Sequence, residues 1–346
     1  MRILYWHEDT REPGRGGGAE SMLRDLTGAL KARGHEIAWL HTNQIREAID
    51  TFKPDVVQIW TINNRMPLST VDYLHESGVP SVWALMNYWP FCSDNVMLKN
   101  GDESCNAVNG VCDGSCQSRR VNMSETVNKF PVLALNEYSA NIFKRNGLRV
   151  DYVAELGVDT DVFKPDPDLR EEGSIFTSSA WANYPHKGMR YLQQLAQESN
   201  IRIKIMTGLT RDQIAVGLKH ADIYVFPSTY EETWGLCLTE AMASGCACIS
   251  TSVAGGRAQI HDGMGLLVPP RDPGAIKEAI DALIGNKKLR EYMGEKAREH
   301  VVKEHSLAAM GKRFENVYRS VMADDKTITL VVDDMTIEPK EGVTHG

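Results

Sequence analysis

The chain has 346 residues, of which 42% are hydrophobic and 24% charged, so it is neither disordered nor collagenous and has material for about two globular domains. Its net charge of −8 argues against a general nucleic-acid binder, which needs a dominant basic surface. No apolar run reaches the ~18 residues of a membrane span, and the N-terminus MRILYWHEDTRE lacks a signal-peptide core. These features predict a cytoplasmic protein, with peripheral attachment to a membrane left open.

In chain order, RILYW (2–6) predicts a short strand. A Gly-rich loop follows, then a helix with Ala19, Met22, Leu23, Leu26 and Leu30 at helical spacing, stopped by Gly34. Residues 36–42, 55–60 and 80–86 are further strand candidates. Residues 87–125 have little periodicity and read as an inserted loop. The pattern resumes with PVLAL (131–135), a helix over 137–146 and a strand over 151–156. The Asp-, Pro- and Gly-rich stretch 157–173 reads as a linker.

Beyond the linker the alternation restarts with SIFTSSA, a helix from Lys187, IRIKIMT, a helix over 210–220, DIYVFPS, a helix from Gly235 and CACIST. Two helices are expected between about 273 and 302, and a last one over about 306–322. Alternating strands and helices imply parallel sheets covered on both faces. Two such blocks predict an α/β chain of two Rossmann-like domains facing a cleft, with ligands at the carboxyl ends of the strands.

The most informative segment is PSTYEETWGLCLTEAMASG (227–245). Glu232 lies in a loop after a strand, and Glu240 follows eight positions later on a helix. Gly235 lets a ligand approach the backbone, and the free amides of a helix start favour an anion such as a diphosphate. Glu240 then sits about 7.5 Å further along the axis, a separation that suits one carboxylate on a sugar and another on a ribose. A pair of solvated glutamates is the plainer reading, and the surrounding string decides against it.

That string resembles the retaining GT-B glycosyltransferases, "glycosyl transferases group 1", whose hallmark is E-x-F-G-x-x-x-x-E-A-M-A. The resemblance runs from about 174 to 305, and more weakly over 1–160 through GGGAESMLRDLTGALKARGHEIAWL and GVDTDVFKP. It implies a GT-B fold. An acceptor-side domain would span 1–160 and a nucleotide-sugar domain 161–305. The last helix (about 306–322) would cross back to the first domain, ahead of a tail at 326–346. It implies transfer of a sugar from a nucleotide diphosphate (UDP or GDP) to an acceptor hydroxyl, with retained anomeric configuration and no catalytic metal.

By the same resemblance Glu232 faces the donor sugar, Glu240 holds the ribose hydroxyls, and Thr233, Trp234, Gly235 and Leu236 line the donor. Lys187 binds the diphosphate and shares the catalytic role with Glu232. Gly17 and Gly18 face the diphosphate from the other domain, and Asn87 and Trp89 belong to the acceptor side. The chain departs from the pattern at Met86 and Asn87, where a His and an Asp are usual, and at Trp181, where an Arg is usual. Two alternatives remain open: a nucleotide-sugar epimerase on the same fold, and a non-catalytic nucleotide-sugar-binding relative. The acceptor is not legible.

The pair Asp159 and Asp161 reads as a turn and not as a metal clasp. Cys92, Cys105, Cys112 and Cys116, spaced C-x12-C-x6-C-x3-C in a polar stretch, are the right number for a structural zinc, with an iron–sulfur cluster second. Disulfides or free thiols are the plain readings.

Overall fold

The computed structural model describes residues 1–7, 18–60, 67–92, 95–99, 103–110, 123–179 and 183–323. The first half runs β1 (Arg2–Trp6), α1 (Gly18–Ala32), β2 (Glu36–Leu40), α2 (Ile45–Phe52), β3 (Val56–Ile59), α3 (Leu68–Glu76) and β4 (Ser81–Ala84). A small excursion carries β5 (Leu98–Lys99), β6 (Glu103–Ser104) and α4 (Ser124–Val127). Then come β7 (Val132–Ala134), α5 (Glu137–Arg145) and β8 (Tyr152–Val153). The second half runs β9 (Ile175–Ser178), α6 (Met189–Glu198), β10 (Ile203–Met206), α7 (Arg211–His220), β11 (Ile223–Phe226), α8 (Leu236–Ala243), β12 (Ala247–Thr251), α9 (Ala254–Gln259) and β13 (Gly265–Val268). Three helices finish it: α10 (Pro273–Ile284), α11 (Lys287–Glu304) and α12 (Leu307–Ala323).

Two parallel sheets result, ordered β2-β1-β3-β4-β7-β8 and β10-β9-β11-β12-β13, with β5 and β6 a separate antiparallel hairpin. Both faces of each sheet are covered, which is why the central strands read as unbroken apolar runs. In β1, Ile3 and Tyr5 pack into one cluster with Met22 and Leu26 of α1, while Leu4 and Trp6 enter another with Ile59 and Trp83. The second sheet is flanked by α7, α8 and α11 on one face and by α6 and α10 on the other.

Strand order fixes where a ligand can sit. From β9 the chain steps to β10 on one side and returns to β11 on the other. The crevice between the carboxyl ends of β9 and β11 is therefore a switch point, which the chain leaves after Ser178 and again after Phe226. In the first sheet the matching switch lies between β1 and β3.

The two halves are joined in several ways. The linker backbone crosses the start of α12, with the Val158 amide donating to the His305 carbonyl at 2.8 Å. Met310, Phe314 and Tyr318 of α12 are buried against the first sheet, and Tyr318 donates to Gln58 on β3. Trp234 and Ala258 of the second half complete that same cluster. Among the described residues no helix is long and apolar enough to cross a membrane.

The stretch 87–125, read from the sequence as an inserted loop without periodicity, proves to be packed in part. Tyr88, Trp89, Met97, Ala107 and Val108 are buried in the first core. Arg145 donates to the Val108 carbonyl at 2.7 Å and Asn146 to the Ala107 carbonyl at 2.9 Å, so the end of α5 anchors the excursion. Aromatic and branched residues scattered without period carry that burial, which periodicity does not detect.

Arg211, at the start of α7, makes a bidentate ion pair with Asp25 of α1 at 2.7 and 2.5 Å, with side-chain exposures of only 19% and 11%. A forked pair at this depth couples its partners, because removing one strands the other's charge. Asp25→Ala and Arg211→Ala should each lower the melting temperature. The double variant should lose about 1–3 kcal/mol less than the sum of the singles. Additive losses in calorimetry would show that the two halves are held by other contacts.

Candidate functional site

Lys187 and Glu232 meet at the second switch point, where Lys187 Nζ donates to Glu232 Oε1 at 2.6 Å. Lys187 was expected to open a helix. It instead ends a 3-10 turn over Pro185–Lys187, and α6 starts only at Met189. Gly188 explains the break: its φ is +71°, and an added Cβ would collide with the Pro227 carbonyl. The turn can thus lie against the loop after β11, where the Thr229 amide donates to the His186 carbonyl at 2.9 Å and the Ser228 hydroxyl at 3.2 Å. The two loops are zipped together with Lys187 and Glu232 on facing edges.

Glu232 is buried and saturated. Oε1 also accepts from Ser228 Oγ at 3.2 Å, and Oε2 accepts from Tyr230 Oη at 2.5 Å. Lys187 Nζ lies 5.0 Å from the centre of the Tyr230 ring. Burial, then the Glu232 charge, pushes the Tyr230 phenol well above its usual range. Burial, then the Lys187 charge, brings the His186 imidazole down to about 4, so it is neutral at pH 7. Arg271 holds the Thr229 carbonyl at 2.9 Å and so fixes the loop from the other side.

Glu240 stands differently. It sits on α8, with no hydrogen bond to its carboxylate among the described residues, and its carboxyl is pushed up to about 7. Burial is the largest cause, Arg211 pulls the other way, and Asp25 adds to the rise. Gly235, at φ +99°, caps α8 and leaves the first amides, beginning with Leu236, without intrahelical acceptors. Thus one carboxylate is paired with a lysine while the other has no partner among the described residues.

The first domain closes over this edge. The Thr233 hydroxyl donates to the Met86 carbonyl at 2.6 Å, and Asn136, which caps α5, donates to the Thr233 carbonyl. Gly18, the first residue of α1, lies beside Leu236: a Cβ there would be 3.5 Å from Leu236 Cδ1. Gly17 and Trp181 fall outside the described residues. The Trp234 ring is core, its Nε1 donating to Thr239 at 3.0 Å. Asn87, partly exposed, accepts from the Trp89 amide at 3.0 Å, and Trp89 is buried against Trp83, ring centres 5.7 Å apart.

Asp159 accepts the amides of Asp161 and Val162 at 2.9 and 3.1 Å, an arrangement that builds a turn. Cys92 and Cys105 are buried, while Cys112 and Cys116 lie outside the described residues. Among the described residues no cluster of three or more His, Cys, Asp or Glu could hold a metal.

Several members escaped the sequence reading. Ser228, Tyr230 and Glu231 stand inside the quoted motif but have no meaning until the loop is folded. Glu231 accepts from the Ala254 amide at 2.6 Å and from Arg257 at 3.0 Å, bracing the loop against α9. Arg211 and Asp25 are 186 positions apart and carry no local signal.

Residues 187–300 match the sequence profile of the family described as Glycosyl transferases group 1. An uncharacterized glycosyltransferase of Methanocaldococcus jannaschii is 32% identical over 136 residues, covering 38% of this chain and 34% of that protein. N-acetyl-alpha-D-glucosaminyl L-malate synthase of Bacillus anthracis is 31% identical over 134 residues, covering 38% and 35%. These matches span about a third of the length of those relatives. Among solved structures, sucrose-phosphate synthase from Thermosynechococcus elongatus superposes with a TM-score of 0.70 at 16% identity, covering 93% of this chain and 99% of that one. Anabaena HepE in complex with UDP and glucose gives 0.66 at 14%, covering 92% and 99%. The chain therefore has the GT-B fold, and within it residues 187–300 match glycosyl transferases group 1.

Proposed function

We propose that this protein is a retaining glycosyltransferase that moves a sugar from a nucleotide diphosphate, UDP- or GDP-linked, to an acceptor hydroxyl. The observation that carries this is the 2.6 Å Lys187–Glu232 pair at the switch point, with Glu240 unpartnered on the adjoining helix. A diphosphate takes Lys187 and the free amides of α8, which releases Glu232 toward the sugar. Glu240 grips the ribose diol. Lys187 then stabilises the departing diphosphate, and positioning and electrostatics supply most of the rate. No dedicated nucleophile is assigned, and attack comes from the face the leaving phosphate vacates. An epimerase would need a cleft acid–base pair. His186, held neutral by burial, and Tyr230, held protonated, are poor bases for it.

Glu240→Ala should weaken binding of the free nucleoside diphosphate by about tenfold or more, since a charge-assisted bidentate contact is lost. Glu232→Ala should cut turnover more than that binding, and wild-type turnover should survive chelation with EDTA. Calorimetry and a product assay read both. Unchanged nucleotide affinity in the Glu240 variant, or activity restored only by Mn²⁺, defeats the assignment.

The raised Glu240 pKa sets a pH dependence. The ribose grip needs the carboxylate, and the empty site is half protonated at about 7. Affinity should rise with pH through roughly 6 to 8 and level off above. Glu240→Gln should remove that component while leaving the ligand's own phosphate titration. An identical pH profile in the variant would place the titrating group elsewhere.

We also infer a structural zinc at Cys92, Cys105, Cys112 and Cys116, the first two of which are buried in the same hydrophobic cluster. Elemental analysis of untagged protein should find close to one zinc per chain. Less than about 0.2 equivalents, with four titratable thiols, establishes the free-thiol state instead.

A further inference from the structure

We infer that Tyr230 is the positioning residue for Glu232: its phenol stays on Oε2 when a diphosphate draws Lys187 away, and so presents Oε1 alone to the donor sugar. The inference rests on the donor reading above and adds to it a side chain whose role no motif marks.

The two oxygens of Glu232 are not held alike. Oε1 accepts from Lys187 Nζ at 2.6 Å and from Ser228 Oγ at 3.2 Å, while Oε2 accepts from Tyr230 Oη at 2.5 Å. Ser228 Oγ also lies 3.2 Å from the His186 carbonyl, and one hydroxyl proton cannot fully serve two acceptors. Once the lysine turns to a diphosphate, Oε1 keeps only that long, shared contact. Oε2 keeps a short, charge-assisted one. Among the described residues Tyr230 is then the one committed donor to this carboxylate, and Oε1 is the oxygen left open.

Local structure fixes the phenol in place. The Glu232 amide donates to the Tyr230 carbonyl at 2.8 Å, a tight turn that sets the two side chains against each other. Two side chains of the facing 3-10 turn brace the Tyr230 ring. The His186 ring stands nearly perpendicular to it, centres 4.9 Å apart, and Lys187 Nζ lies 5.0 Å from its centre. Burial and the Glu232 charge push the phenol well above its usual range, so it stays a donor and never becomes a second anion beside the carboxylate. Tyr230 and Lys187 are both partly exposed, so the arrangement lies where a ligand reaches it.

A carboxylate free to turn about its last bond samples many orientations. One tethered through a single oxygen presents the other in a fixed direction. The benefit falls on the chemical step and not on capture of the nucleotide, because the diphosphate contacts of Lys187 and α8 do not involve Oε2.

The test is Tyr230→Phe in the full chain, which keeps the ring beside Lys187 and His186 and deletes only the bond to Oε2. Calorimetry reads binding of UDP and GDP. Turnover of UDP- and GDP-sugars is read as nucleoside diphosphate released with water as the acceptor. Affinity for the diphosphate that the wild type binds should stay within about twofold, and KM for the matching nucleotide sugar within about threefold. The kcat should fall about tenfold. In a Glu232→Ala background the same substitution should cost less than about twofold, because Tyr230 acts through the carboxylate. Equal losses of kcat in the two backgrounds, or a kcat that Y230F leaves unchanged, overturn this inference alone. A loss confined to KM and melting temperature also overturns it and makes Tyr230 part of the loop's packing. A wild type that binds neither UDP nor GDP overturns the donor reading and this inference together.

Discussion

Lys187 and Glu232 hold one another at 2.6 Å in a crevice where their side chains are 20% and 7% exposed, and much of the surrounding structure serves to keep them facing. Desolvating two charges is costly, and their attraction offsets that only when the geometry is good and the remaining lone pairs are met. Both conditions hold here. Ser228 and Tyr230 fill the rest of Glu232, and the Gly188 turn against Pro227 brings the two loops close enough for the lysine to reach. The pair is a placeholder as much as a bond. On the donor reading proposed above, a diphosphate carries more negative charge than one carboxylate and so draws Lys187 away, leaving Glu232 for the hydroxyls of a sugar.

The asymmetry between the two glutamates follows from where α8 puts them. Glu232 precedes the helix and lies within reach of the lysine. Glu240 is on its second turn, near Arg211, but Arg211 is already committed to Asp25. Burial then wins over Coulomb attraction, and the carboxyl rises to about 7. The same ion pair that helps join the halves of the molecule therefore keeps Glu240 unpaired. Contact between the halves and the state of the Glu240 carboxyl are linked through one arginine.

Much of the architecture was legible because parallel sheets covered on both faces write themselves as apolar runs separated by periodic helices. Leu4 and Tyr5 face opposite cores, and both must be apolar. The positions of Glu232, Gly235 and Glu240 were legible because helix geometry ties spacing to distance. The start of α6 was misjudged at Lys187, since the left-handed Gly188 makes sense only against Pro227, far along the chain. The excursion after Tyr88 was misjudged for a similar reason. Its anchors are the carbonyls of Ala107 and Val108 held by Asn146 and Arg145, and side chain to backbone bonds leave no mark in hydrophobic pattern.

The departure at Met86 takes on meaning from the folded chain. A histidine there would bring a titratable group to the cleft; Met86 brings a thioether packed with the second cluster and a carbonyl that accepts from Thr233. The backbone of this segment thus carries the contact between domains, while its side chains build core. Asn136 repeats the arrangement from α5, capping its own helix and reaching the Thr233 carbonyl. Thr233 is gripped at both its hydroxyl and its carbonyl by the opposite domain, directly beside Glu232. Any change in the angle between the two halves must therefore move the loop bearing Glu232 or break those two bonds.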